Sequence, residues 1–315
     1  MEYWWISLVV IGAMLVIVLS GALVSFLLTF YSKNRVHPKA DEYPTLEGHI
    51  YDPYRAKMVE WTKWLRALPH KDFSIMSEDG LRLCGKYYEY QKGAPIEILF
   101  HGYRGTAERD LCGGVHRCFR LGRNALIVDH RASGYSEGHV ITFGVKESRD
   151  CLGWVELVLR EIDKDAKIIL TGVSMGAATV LVAATLPLPE NVVGILADCG
   201  YSSPEAIIKK VMRDLHLSVK LFYPLARLGA ILFGRFDPHK CSPVESMRSC
   251  RLPVLFFHGD DDRFVPISMS EENYAACASP HKRLMRTPKA GHGLCFFVDE
   301  EAYLGEVRDF FAPHL

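Results

Sequence analysis

Gly172-Val173-Ser174-Met175-Gly176 sets a serine between two glycines, directly after the apolar run Ile168 to Thr171 and directly before Ala177, Ala178 and a helical pattern. A serine at so sharp a strand-to-helix turn exposes its Oγ, and the flanking glycines let the strained backbone pack closely. A hydroxyl attacks a carbonyl only when a base takes its proton, and that base is a histidine oriented by a carboxylate. In this arrangement the acid and then the histidine follow the serine along the chain. His216, His239, His258, His281, His292 and His314 come after Ser174. His292 alone sits in a glycine-rich turn, Ala290-Gly291-His292-Gly293, just beyond an expected strand, which makes it the best base; His258 reads as a strand-ending structural residue. The acid stays open among Asp260, Asp261 and Asp262, which follow His258-Gly259, with Asp198 at the end of an earlier strand as a lesser candidate.

The elements that must position these groups alternate from Pro69 onward. Strands are expected over Phe73 to Met76, Leu81 to Tyr88, Ile96 to Phe100, Ala125 to Val128, Lys167 to Leu170, Val192 to Ala197, Val254 to Phe257 and Arg283 to Arg286. Several are short, wholly apolar runs, as strands buried on both faces must be. Helical patterns fall between them, near 107–121, 145–162, 175–186, 268–278 and 299–311. Such alternation predicts an α/β protein with a mainly parallel sheet, helices on both faces, and a site at the carboxyl ends of the strands. Residues 200–252 break the rhythm. A second membrane span there is disfavoured by Lys220, Arg227 and a helix-interrupting Pro224, so a helical lid over the site is expected instead.

Four ordered motifs together resemble the α/β-hydrolase superfamily, in its serine esterase, lipase and serine aminopeptidase-like branch, over about residues 73 to 311. The stretch from His258 to Pro266 is similar to that family's H-G-x-x-D-x-x-V-P loop, which implies Asp262 as the acid and leaves Asp260 and Asp261 as turn or capping residues. Phe100-His101-Gly102-Tyr103-Arg104-Gly105 resembles its His-Gly oxyanion loop and implies the Tyr103 backbone N–H as one donor to a tetrahedral intermediate. The Met175 N–H, next after the nucleophile, is the other. Arg104 reads as a solvated surface residue. Asp129 to Ser136 resembles the D-x-R-G-x-G-x-S loop, with Ala132 at a frequent glycine position, and its role is read as structural. The resemblance implies carboxylesterase or lipase-like cleavage of a small-molecule acyl substrate, without cofactor or metal. A peptidase or thioesterase on the same triad is the alternative, and a non-catalytic membrane-tethered binding protein is the rival from another class.

The N-terminal region is expected to lie outside that shared domain. From Tyr3 to Ser32 no side chain is charged, and Trp4, Trp5 and Tyr31 suit two membrane interfaces. A bilayer core of about 30 Å takes roughly 20 helical residues, so residues 1–32 read as a retained transmembrane anchor in preference to a cleaved signal peptide. Lys33, Arg35 and Lys39 follow the span, which by the positive-inside rule puts the following domain in the cytoplasm. Residues 33–70 then form a connector whose part from Asp52 to Leu68 has amphipathic helical spacing, able to face lipid headgroups or the domain, and residues 71–315 are the α/β domain. Lys plus Arg and Asp plus Glu both number 37, so no global field draws the chain to nucleic acid. The 9 cysteines contain no C-x-x-C pair and read as buried reduced thiols. Oligomeric state is not legible.

Overall fold

The computed structural model describes residues 4–33, 39 and 41–315, so Arg35 of the basic flank lies outside the described residues. Trp4–Thr29 forms one helix, α1, apolar all round and exposed except at buried Ala22 and Phe26 and half-buried Gly21, Ser25 and Thr29. Among the described residues it is the one helix long and apolar enough to cross a membrane. A 3₁₀ turn, His49–Tyr54, leads into α2, Arg55–Ala67. The apolar face of α2, with Met58, Trp61 and Leu65 buried, packs on α3, Ala107–Arg120. Trp61 stacks on His116 with ring centroids 4.8 Å apart, and Gly113 makes room for its indole. Of the two fates open to this amphipathic segment, covering the domain is the one realised.

All eight expected strands form: β1 Lys71–Met76, β2 Arg82–Tyr88, β3 Ile96–Phe100, β4 Asn124–Val128, β5 Ile168–Val173, β6 Val192–Asp198, β7 Val254–Gly259 and β8 Lys282–Thr287. They make one sheet in the order β1-β2-β4-β3-β5-β6-β7-β8, antiparallel at β1-β2 and β2-β4 and parallel elsewhere. β5 runs past the apolar pattern through Thr171, Gly172 and Val173, because its pairing with β6 continues to Val173 opposite Asp198. That extension carries the chain straight to Ser174.

The helices that follow are α4 Glu147–Leu157, continued by a π turn to Ile162, α5 Met175–Ala183, α6 Pro204–Asp214, α7 Val219–Leu232, α8 Pro243–Met247, α9 Ile267–Ala276, α10 Cys295–Val298 and α11 Glu300–Phe311. Side chains on one face of the sheet, among them Ile98, Phe100 and Leu170, form a core with α4 and α5, while Leu99, Ile169, Leu196 and Leu255 on the other meet α2, α3 and α11. Burial on both sides explains why these strands read as unbroken apolar runs. All nine cysteines are unpaired and eight are buried.

Residues 200–252 fold as α6, α7 and α8, and the expectation that Pro224 interrupts a helix needs correcting. Pro224 does not end α7 but lies inside it, at the loss of one backbone hydrogen bond. The helix is still too short to span, since 14 residues reach only about 21 Å. No residue from 200–252 lines the cavity beside Ser174, but the segment shares a core with Met175 and Phe143, against which the cavity residue Tyr103 packs. Helix α7 is drawn onto α1. A Cβ on Gly229 would lie 2.3 Å from the Ala22 carbonyl oxygen, so glycine there allows the two backbones to touch.

Candidate active site

Ser174 ends β5 and caps α5 with φ 58°, a left-handed conformation that a side chain adopts only under constraint. The constraint is packing. A Cβ on Gly176 would stand 2.0 Å from the Phe100 carbonyl oxygen, and one on Gly172 would stand 2.1 Å from the Gly176 carbonyl carbon. Both glycines are therefore required where strand, turn and helix meet, and the turn leaves Ser174 Oγ at the carboxyl edge of the sheet.

His292 lies in the turn after β8, and its Nε2 is 3.0 Å from Ser174 Oγ. Its Nδ1 is 2.7 Å from Asp262 Oδ2, so three residues distant in sequence form one hydrogen-bonded chain. The loop after β7 holds Asp262 rigidly: Oδ1 accepts the backbone N–H groups of Phe264 at 2.9 Å and Val265 at 2.8 Å. Burial by itself would push this carboxyl's pKa up. Hydrogen bonds from His258 and His292 outweigh burial and hold it well below the usual carboxylate range. His258, expected only to end a strand, is fully buried in β7, with Nε2 2.8 Å from the Val265 carbonyl and 3.3 Å from Asp262 Oδ2. It braces the loop that carries the acid.

The other aspartates go elsewhere. Asp260 pairs with Arg286 at 2.8 Å, the Asp261 N–H bonds the Ala290 carbonyl at 3.0 Å, and buried Asp198 accepts a hydrogen bond from the Tyr303 hydroxyl at 3.1 Å. None is bonded to His292. Cys199, Asp262 and His292 offer potential ligand atoms within 4.8 Å of one another, a spacing a metal could use. The donor set fits poorly, because the Asp262 and His292 atoms already bond each other and burial pushes the Cys199 thiol well above its ordinary pKa, away from the thiolate a metal needs.

Facing Ser174 is the loop after β3, where a Cβ on Gly102 would come 3.5 Å from Ser174 Cβ. Tyr103 follows and lines the cavity, while Met175 is the first residue of α5, where backbone N–H groups lack helical partners. The His130 backbone N–H donates to His101 Nε2 at 3.0 Å, so the His101 proton is on Nδ1, donated to the Gly102 carbonyl at 2.7 Å. Asp129 ties the next loop down, accepting the N–H groups of Ala107 at 2.8 Å and Tyr135 at 3.0 Å. Ala132 has φ 61°, which explains why glycine is at home at that position.

Contacts of two residues at the site are not legible in the sequence. Arg104 is exposed, as expected, and its guanidinium also donates to the carbonyls of Leu28 at 2.9 Å and Tyr31 at 3.1 Å, at the C-terminal end of α1. The Tyr103 hydroxyl likewise donates to the Thr29 carbonyl at 2.7 Å. Cations and donors suit a helix C-terminus, whose last carbonyls are unsatisfied. Tyr51, from the connector, donates its hydroxyl to the His292 carbonyl at 3.1 Å, and burial pushes that phenol's pKa up. No motif marks either contact, since both join segments that touch only in the folded chain.

A cavity of about 810 Å³ opens at Ser174 and His292 and runs past Met58, Leu99, Leu111, Phe296 and Phe297, with Leu46 to Tyr51 closing one side.

No protein-family model matches the chain. Among curated proteins it is 25% identical over 305 residues to the uncharacterized protein YqkD of Bacillus subtilis (strain 168), across 96% of both chains. It is 26% identical over 230 residues to the protein Bem46 of Schizosaccharomyces pombe, across 72% of this chain and 70% of that one. The Pyrococcus furiosus esterase Pf2001 superposes with a TM-score of 0.67 at 22% identity, covering 88% of this chain and 99% of its own. Est1E of Butyrivibrio proteoclasticus, solved with ferulic acid bound, gives a TM-score of 0.56 at 18% identity over 77% of this chain and 98% of its own. With its sheet order, its serine turn and its similarity in shape to known esterases, this chain has the α/β-hydrolase fold.

Proposed function

We propose that this protein is a membrane-anchored serine hydrolase that cleaves a carboxylic ester or related acyl bond through an acyl-enzyme. The observation that carries this reading is the hydrogen-bond chain from Ser174 Oγ through His292 to Asp262, built at the strand ends of a fold shared with solved esterases. Ser174 Oγ attacks the carbonyl carbon as His292 Nε2 takes its proton, and Asp262 holds the imidazole in the tautomer that can accept it. The backbone N–H groups of Tyr103 and Met175 receive the negative charge that develops on the carbonyl oxygen, each donor contributing about 3 to 4 kcal/mol. His292 then gives its proton to the departing alcohol, and water, activated by the same histidine, releases the acid.

The apolar cavity favours a lipid-like or aryl acyl group over a small charged one. The exposed, uncharged length of α1 supports a single-pass anchor, and Lys33 and Lys39 after it support a cytoplasmic catalytic domain. A fluorophosphonate probe tests the chemistry directly. Covalent labelling of the full-length protein that disappears in Ser174→Ala is expected; a folded wild type that takes no label would establish the binding-protein reading instead.

A further inference from the structure

Helix α7 presents a row of apolar side chains left exposed among the described residues. Leu221, Pro224, Leu228 and Ile231 recur at three- and four-residue spacing along one side of the helix with Leu232 beside them; all but the half-buried Leu228 are exposed, as are Leu215 and Leu217 in the turn leading into it. Isolated exposed leucines are ordinary, but a continuous apolar face on an otherwise charged domain marks a contact surface. What it contacts is indicated by its neighbour. Leu225 reaches toward Gly21, Gly229 touches Ala22, Phe233 packs on Phe26 at 5.8 Å and Phe30 on Phe236 at 5.2 Å. These pairs advance in the same order along both chains, so α7 runs beside the C-terminal part of α1 and in the same direction. The uncovered face of α7 thereby continues the uncovered surface of α1.

We propose that the exposed face of α7, with the turn Leu215–Leu217, inserts into the headgroup and acyl boundary of the same lipid bilayer that α1 crosses, forming a second membrane contact. This rests on the anchor reading of α1. Because α7 runs in the direction of α1, its leading end lies deepest, and the Lys220 stem can lie along apolar chains while its ammonium reaches back toward the headgroups. With fourteen residues α7 is too short to cross, so it enters one leaflet only.

The contact has a consequence for substrate. Tyr103 and Arg104 line the catalytic cavity and hydrogen-bond the last turn of α1, so the cavity mouth adjoins the point where the anchor leaves the membrane. Two lipid contacts, at α1 and α7, hold that mouth at the bilayer surface in one orientation, where an amphiphilic acyl substrate can enter without passing through bulk water.

The test uses full-length protein in phosphatidylcholine vesicles with and without a doxyl-labelled lipid. An environment-sensitive fluorophore is attached to a cysteine introduced at Leu221, Leu232, Leu15 or Lys92, in a Cys84→Ser background because the other eight cysteines are buried. Quenching at 221 and 232 of the same order as at 15, and none at 92, is expected. Quenching at 15 alone would overturn the second contact and leave the anchor standing, whereas no quenching at 15 would overturn the anchor reading and this proposal together. A blue-shifted but unquenched probe at 221 would show protein covering α7, and would also overturn it.

Discussion

Replacing Asp262 by Asn changes one atom and isolates its role. Oδ1 of Asp262 accepts two backbone N–H groups, from Phe264 and Val265, while Oδ2 faces His292 Nδ1 at 2.7 Å. In Asp262→Asn the amide must choose which of these positions its oxygen takes. Placing NH₂ against the two backbone donors leaves both unsatisfied at about 1–3 kcal/mol each, whereas at the Oδ2 position His292 can accept from it by changing tautomer and His258 keeps the Val265 carbonyl as its acceptor. The oxygen therefore stays with Phe264 and Val265, and the NH₂ points at His292 Nδ1. That nitrogen must now accept, which moves the imidazole proton to Nε2, the atom that has to take a proton from Ser174. Loss of the right tautomer with the geometry intact lowers kcat by about 10⁴, or about 5.4 kcal/mol. Steady-state hydrolysis of p-nitrophenyl butyrate by wild type and variant, with matching circular dichroism spectra, provides the measurement. A folded variant retaining more than about a tenth of wild-type kcat would refute the tautomer argument and with it the assignment of Asp262.

Two further outcomes follow from neighbouring contacts. Arg104→Ala removes the bonds that tie the oxyanion loop to the Leu28 and Tyr31 carbonyls, so kcat should fall on the order of ten- to a hundredfold through misplacement of the Tyr103 N–H, with KM little changed; unaltered kcat would show the loop holds itself. Because the folded-state pKa of Asp262 lies below its unfolded value, its contribution to stability is present above about pH 4 and is lost as pH falls further; thermal melting from about pH 5 to pH 3 should therefore decline less steeply in Asp262→Asn than in wild type.

The chemistry-bearing turns were legible because each is written in a few adjacent residues whose types the backbone demands. Gly172 and Gly176 must be glycines for β5, Ser174 and α5 to meet within a few ångströms, and Ile96 to Phe100 must be apolar because both faces of β3 are covered. The acid was harder to read. Three consecutive aspartates differ only in where the loop after β7 aims them, and local composition chose among them only with the help of a resemblance; in the folded chain it is Asp262 that meets His292.

What no sequence pattern carried are contacts between segments far apart along the chain. Arg104 reads as a surface arginine with no sign that α1 ends beside it, Tyr51 looks like part of a connector until its hydroxyl meets the His292 carbonyl, and nothing in residues 200–252 announces that Gly229 seats α7 on Ala22. Sequence by itself determined the strands, the serine turn, the glycine-flanked His292 turn and the apolar helix, since periodicity and glycine placement are local properties. Tertiary structure alone decided which surface each amphipathic helix covers and which partner each polar side chain finds, because those choices depend on distances created only when the whole chain packs.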